Sequence, residues 1–242
     1  MQPLLKAMMP LPLMDWAAIV VFFCGWIGYA WFARHRAQTR PSLLATTNRI
    51  RSQWMLQTTW REARVIDGMV IQNLSTSPSF FASTTILIIG GLLATLGTSE
   101  KASELVKELP FAMRTSALVF DLKLLLMLGV FVYAFFRFTW SMRQYTFGAL
   151  LVASAPEADQ FEAMGAQAEA RRKAFADTAG RVVGLAAETF NDGLRAYYFS
   201  FAAIGWFFSP LAFMLATVGV IYILYQREFR SEVLNILSSW NS

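Results

Sequence analysis

Residues 187–210 read AETFNDGLRAYYFSFAAIGWFFSP. Three polar side chains, Asn191, Asp192 and Arg195, stand directly before an apolar run that continues to about Tyr225. Charges beside a long apolar run either anchor a membrane helix at the headgroups or form part of a polar site. Asn191 and Arg195 are four apart and share a helix face, with Asp192 within one turn of Arg195. Arginine suits such a boundary because its planar fork holds two acceptors and keeps its charge. Asp192 is the expected partner of Arg195, in a polar network or beside a lipid headgroup.

The whole composition agrees with a membrane setting. Of 242 residues, 56% are hydrophobic and 15% charged, against about 25% charged in a soluble domain. Four apolar runs stand out, at residues 14–33, 79–97, 117–138 and 196–225. Each approaches or exceeds the ~20 residues that a helix needs to cross a hydrocarbon core of ~30 Å. The expected fold is therefore all-α, a single polytopic membrane domain with four transmembrane helices and long cytoplasmic helices.

Two Ser-Pro dipeptides punctuate the runs. Ser77 and Pro78 precede the second run as a cap and a first helical residue do. Pro210 falls inside the fourth run. That run is too short for two crossings, and it reads as one long, tilted span kinked at the proline.

Orientation follows from arginine. Residues 34–78 carry seven arginines against two acids, whereas the loop between the second and third spans is balanced. Arginine excess marks the cytoplasmic side. Segments 34–78 and 139–195 are thus expected in the cytoplasm, and four crossings leave both termini outside it. The expected location is a bacterial inner (plasma) membrane. Both inner segments have helical character. Ser154 and Glu157 have the spacing of a capping box, and the final residues 231–240 resemble a short interfacial helix.

Several kinds of chemistry lack their markers. The single cysteine, Cys24, excludes an internal disulfide and a cysteine-rich metal site, and reads as a small buried hydrophobe. The single histidine, His35, lies among arginines and has no second histidine to share a haem or zinc. There is no phosphate-cradling glycine loop and no dinucleotide fingerprint. The net charge of +5 lies beside apolar runs, which fits a membrane face rather than nucleic acid. No catalytic residue, metal or cofactor is assigned. Asp121 and Lys123 in the third span, with Thr84 and Thr85 in the second, are the remaining polar candidates, for structure or for transport.

The blocks FNDGLRAYYFSFAAIGWFFSP, FDLKLLLMLGVFVYAFFRFTWSMRQYTF and NRIRSQWM, taken together, resemble the membrane family called domain of unknown function 599. The likeness covers roughly residues 13–235. It implies the multi-span architecture and carries no activity or catalytic residue. The expected function is that of a structural or accessory membrane protein, a homo-oligomer or part of a larger complex, in contact with membrane lipids. A channel or transporter for ions or small solutes is the alternative.

Overall fold

The computed structural model describes residues 11–36, 41–98 and 116–240. Among these residues every regular element is helical: α1 Leu13–Arg36, α2 Leu43–Thr58, α3 Val65–Gly97, α4 Ala117–Ser154, α5 Ala158–Ala163, a 3-10 turn Gly165–Gln167, α6 Ala168–Phe208, α7 Pro210–Phe229 and α8 Glu232–Trp240. Four stretches are long and apolar enough to cross a membrane, Leu13–Arg36, Val65–Gly97, Ala117–Ser154 and Pro210–Ser239. The chain is an all-α, multi-pass membrane protein. The charge-balanced loop expected between the second and third spans lies outside the described residues.

The chain divides into two compact units. One takes in α1, α3 from Thr84, α4 up to Ala134, α6 from Leu194, and α7 up to Gln226. The other takes in α2, α3 up to Ser83, α4 from Phe135, α5, α6 up to Gly193, and α8.

The first unit is built on a reversal of the chain. Helix α6 stops at Phe208 and α7 starts at Pro210, with Ser209 between them. Ser209 caps the new helix: its Oγ accepts from Ala212 N–H at 3.0 Å, and its carbonyl accepts from Phe213 N–H at 3.1 Å. Pro210 then occupies the first helical position, where its missing N–H costs nothing. Trp206 stacks on Phe213 with ring centroids 5.4 Å apart. Seven residues along a continuous helix would separate them by about 10 Å. Phe22 of α1 touches both Phe199, at 5.6 Å, and Phe213, at 5.0 Å. The two limbs therefore run side by side in opposite directions.

This corrects the reading of residues 196–225 as one kinked span. The proline does not bend a helix there; it begins one. Gly205 makes the reversal possible, since a Cβ on it would lie 3.1 Å from the Ala212 carbonyl oxygen. The other Ser-Pro pair behaves in the opposite way. Pro78 lies inside α3, so that helix starts thirteen residues earlier than Ser77 and Pro78 suggest. Cys24 is also placed differently, being exposed on α1 rather than buried.

The second unit has an apolar centre of Met55, Ile71, Tyr145, Val152, Ala176 and Val183 with their neighbours. Small residues bring α6 against α2: a Cβ on Gly180 would lie 2.8 Å from the Ser52 Cα. The cap of α5 sits three residues beyond the expected Ser154, where Gln160 Oε1 accepts from Glu157 N–H at 3.1 Å. Helix α8 packs on α2, and Glu228 Oε1 accepts from Leu44 N–H at 3.1 Å. The chain after α7 thus lies beside the chain after α1.

The close approach at Gly205 yields a prediction. Gly205→Leu should destabilise the protein by about 1–3 kcal/mol through overpacking against backbone. Gly219→Leu, where a Cβ meets nothing within 4 Å, should leave stability near wild type. Thermal melts of the two variants in the same detergent check the contrast.

Candidate functional site

In the first unit, buried polar side chains gather near the reversal. Asp15, in the first turn of α1, accepts a 2.5 Å hydrogen bond from Trp206 Nε1, and both residues are buried. Lys123 of α4 is only 2% exposed. Its Nζ lies 5.6 Å from the Trp206 ring and 5.8 Å from the Phe207 ring. Asp15 is the acid that acts on it electrostatically. A carboxylate, an ammonium and an indole therefore meet at the tip of the hairpin. The indole serves both ions, as a donor to one and through its π face to the other.

Asp121 stands two residues before Lys123 and does not share its face. It is half-buried, and among the described residues its Oδ1 has no hydrogen-bond partner. Thr85 is fully buried, and its hydroxyl lies 2.6 Å from the Tyr197 hydroxyl. Thr84 beside it is half-buried. Arg195 is buried, with its guanidinium carbon 5.8 Å from the centre of the Tyr29 ring.

In the second unit, Asp192 is buried and forms an ion pair with Arg137 of α4. Asn191 beside it is half-buried. Arg137 lies near the end of the apolar run 117–138. It stands 55 residues from Asp192, beyond the reach of spacing along one helix.

Further arginine centres tie the second unit together, and sequence reading missed them. Arg172 is 1% exposed, donates to the carbonyls of Thr59 and Ala158, and lies between the rings of Trp60 at 3.7 Å and Phe161 at 4.7 Å. Arg64 donates to the carbonyls of Ala155 and Pro156. Asp67 collects Trp54 Nε1 at 2.7 Å, the Thr58 hydroxyl at 3.2 Å and the Arg61 guanidinium. Asn48 joins Glu188 at 2.9 Å and receives Arg51 at 2.7 Å. Burial pulls the Arg51 guanidinium below its ordinary pKa, and the charges of Tyr145 and Glu188 oppose that pull. The one sequence signal for these centres was the excess of arginine, which orientation alone had seemed to explain.

No group of three or more histidine, cysteine or acidic residues suited to a metal occurs among the described residues. A cavity of about 700 Å³ lies in the first unit, with a mainly apolar lining from α1 and α4.

The sequence profile of the family described as "Protein of unknown function, DUF599" matches residues 17–233, and the chain belongs to that family. No curated protein and no solved structure matches the chain.

The pairing of Asp192 with Arg137 is open to a double-mutant cycle. R137A and D192A should each destabilise the protein. The double variant should cost less than the sum of the two, with a coupling of about 0.5–3 kcal/mol. Denaturation of the four proteins in one detergent gives the coupling directly.

Proposed function

We propose that the protein is a structural or accessory component of a bacterial plasma membrane, assembling with copies of itself or joining a larger membrane complex. The observation that carries this reading is how the first unit uses its buried polar side chains. Asp15 joins Trp206, and Thr85 joins Tyr197. The hydroxyls of Ser200 and Thr217 donate to carbonyls of their own helices, each at 2.8 Å. Polar groups bound to one another act as glue between helices in lipid, whereas groups that line a solute path exchange partners with the solute. In this reading the chain performs no catalysis and needs no cofactor.

One observation favours a channel or transporter. Lys123 is buried in an apolar helix, with Asp15 within electrostatic reach, and intramembrane ions often mark a path. The experiment separates the two. Extracted with native lipid into nanodiscs, the protein should appear as a discrete multimer or with a stoichiometric partner. Proteoliposomes should hold an ion gradient as well as empty vesicles do. A monomer whose flux disappears in K123M would transfer the assignment to transport.

The orientation is part of the same proposal. Arginine excess puts residues 34–78 in the cytoplasm, and α8, packed on α2, is on that side too. The hairpin adds a crossing to the four expected. Asp15 lies in the first turn of α1 and bonds Trp206 close to the tip, so the hairpin reaches the level where α1 begins. The described chain then begins outside and ends inside, with five crossings. In a Cys24-free background, Cys at Asn235 or Gln167 should resist an impermeant thiol reagent in intact cells, while Cys at Leu13 reacts. Labelling at Asn235 but not at Gln167 would refute this arrangement.

A further inference from the structure

We infer that the groove between α1 and α4 holds one acyl chain of an anionic glycerophospholipid from the cytoplasmic leaflet, with the phosphate of that lipid at Arg34. The groove encloses about 700 Å³ and is walled by Phe23, Ile27 and Trp31 on α1 and by Leu126, Gly129 and Tyr133 on α4. Among the described residues, Arg34 is the one charged residue of its lining. It is exposed and belongs to a basic last turn with His35 and Arg36.

Length fits a lipid leaflet. Eleven residues separate Phe23 from Arg34, a rise of about 16 Å along a helix. That is close to half of the ~30 Å hydrocarbon core. A chain lying in the groove would therefore run from the headgroup level to the bilayer middle.

Breadth fits a chain better than a helix. A helix about 10 Å across and 16 Å long displaces on the order of 1,200 Å³, well above the volume of the groove. Close helix pairs are enriched in small residues on the facing surface, whereas large side chains such as Trp31 and Tyr133 make up most of this lining. The floor is firm. Trp26 meets Tyr133 edge-on at 5.4 Å and stacks on Phe199 at 5.4 Å. Trp31 is stacked on His35 at 5.4 Å, beside Arg34. The open space above Gly129 is equally definite, since a Cβ there meets nothing within 4 Å.

The cytoplasmic leaflet as source rests on the orientation proposed above; the groove and its cation do not. The test uses full-length protein in nanodiscs of equal phosphatidylglycerol and phosphatidylcholine with matched chains, released for native mass spectrometry. Wild type should retain one lipid and favour phosphatidylglycerol about fivefold, the factor one arginine near a membrane surface supplies. R34Q should retain the two lipids equally. G129F should lose both, because its Cβ meets nothing within 4 Å and its ring takes up the groove. I27W, at an exposed wall position, gives the same readout should G129F fail to fold.

Lipid retention unchanged in folded G129F or I27W would overturn the site. So would a phosphatidylglycerol preference that survives R34Q. A dimer that G129F dissociates, with lipid retention unchanged, would give the groove to a second copy and overturn the inference as well. An inverted result from thiol labelling leaves lipid retention by the released protein as it was, so failure of the orientation and failure of the site are distinguishable.

Discussion

The hydrogen bond from Trp206 to Asp15 carries more of this structure than any other single contact. A carboxylate within an apolar helix is costly unless it is paired. Asp15 meets that requirement with an indole N–H, and Lys123 lies within reach of the same indole ring. The contact fixes the end of the α6 limb to the start of α1. With that end fixed, Phe199 lies against Trp26 and Arg195 comes over Tyr29. The returning limb places Thr217 and Ile221 beside Gly25. Without the indole, a buried acid would lose its N–H donor.

The second unit uses a different chemistry for the same purpose. Its helices are tied by arginines that donate to backbone carbonyls beside helix ends; those of Thr59, Ala155 and Pro156 lie beyond the last turn of a helix, where carbonyls lack partners within it. Arg172 and Arg64 both do this. The Trp60 and Phe161 rings close to the Arg172 guanidinium supply contact that a lysine could not reproduce. These arginines also contribute to the charge excess from which the orientation is read. One residue type therefore meets both demands, and the sequence shows only their sum.

The helical class and the apolar helices were plain in the sequence because twenty apolar residues in a row have few other uses. The two Ser-Pro pairs were not. Both have the chemistry of a cap followed by a first helical residue, and local chemistry cannot separate them. Gly205 does: four residues before Ser209, it lets the two limbs pass backbone against backbone. Pro78 has no glycine closer before it than Gly68, and α3 runs on through it. Length misled as well. The α6 limb that enters the first unit, from Leu194 to Phe208, is short and starts beside charges, so no hydropathy window isolates it. In the candidate site, Lys123 and Thr85 were visible as polar residues in apolar runs. Asp15 was not, because an acid in a first helical turn is ordinary. Nor was the pairing of Arg137, since its partner Asp192 is 55 residues away.

The reversal at Ser209 sets the company kept by Asp15 and, in the proposed orientation, the number of crossings and the side of the C-terminal helix. A distance between spin labels on Leu194 and Tyr222, measured in nanodiscs, tests it most directly. Neighbouring helices lie 8–10 Å apart, so the hairpin predicts a label separation below about 20 Å. A separation near 42 Å, the rise of twenty-eight residues along a continuous helix, would contradict the account.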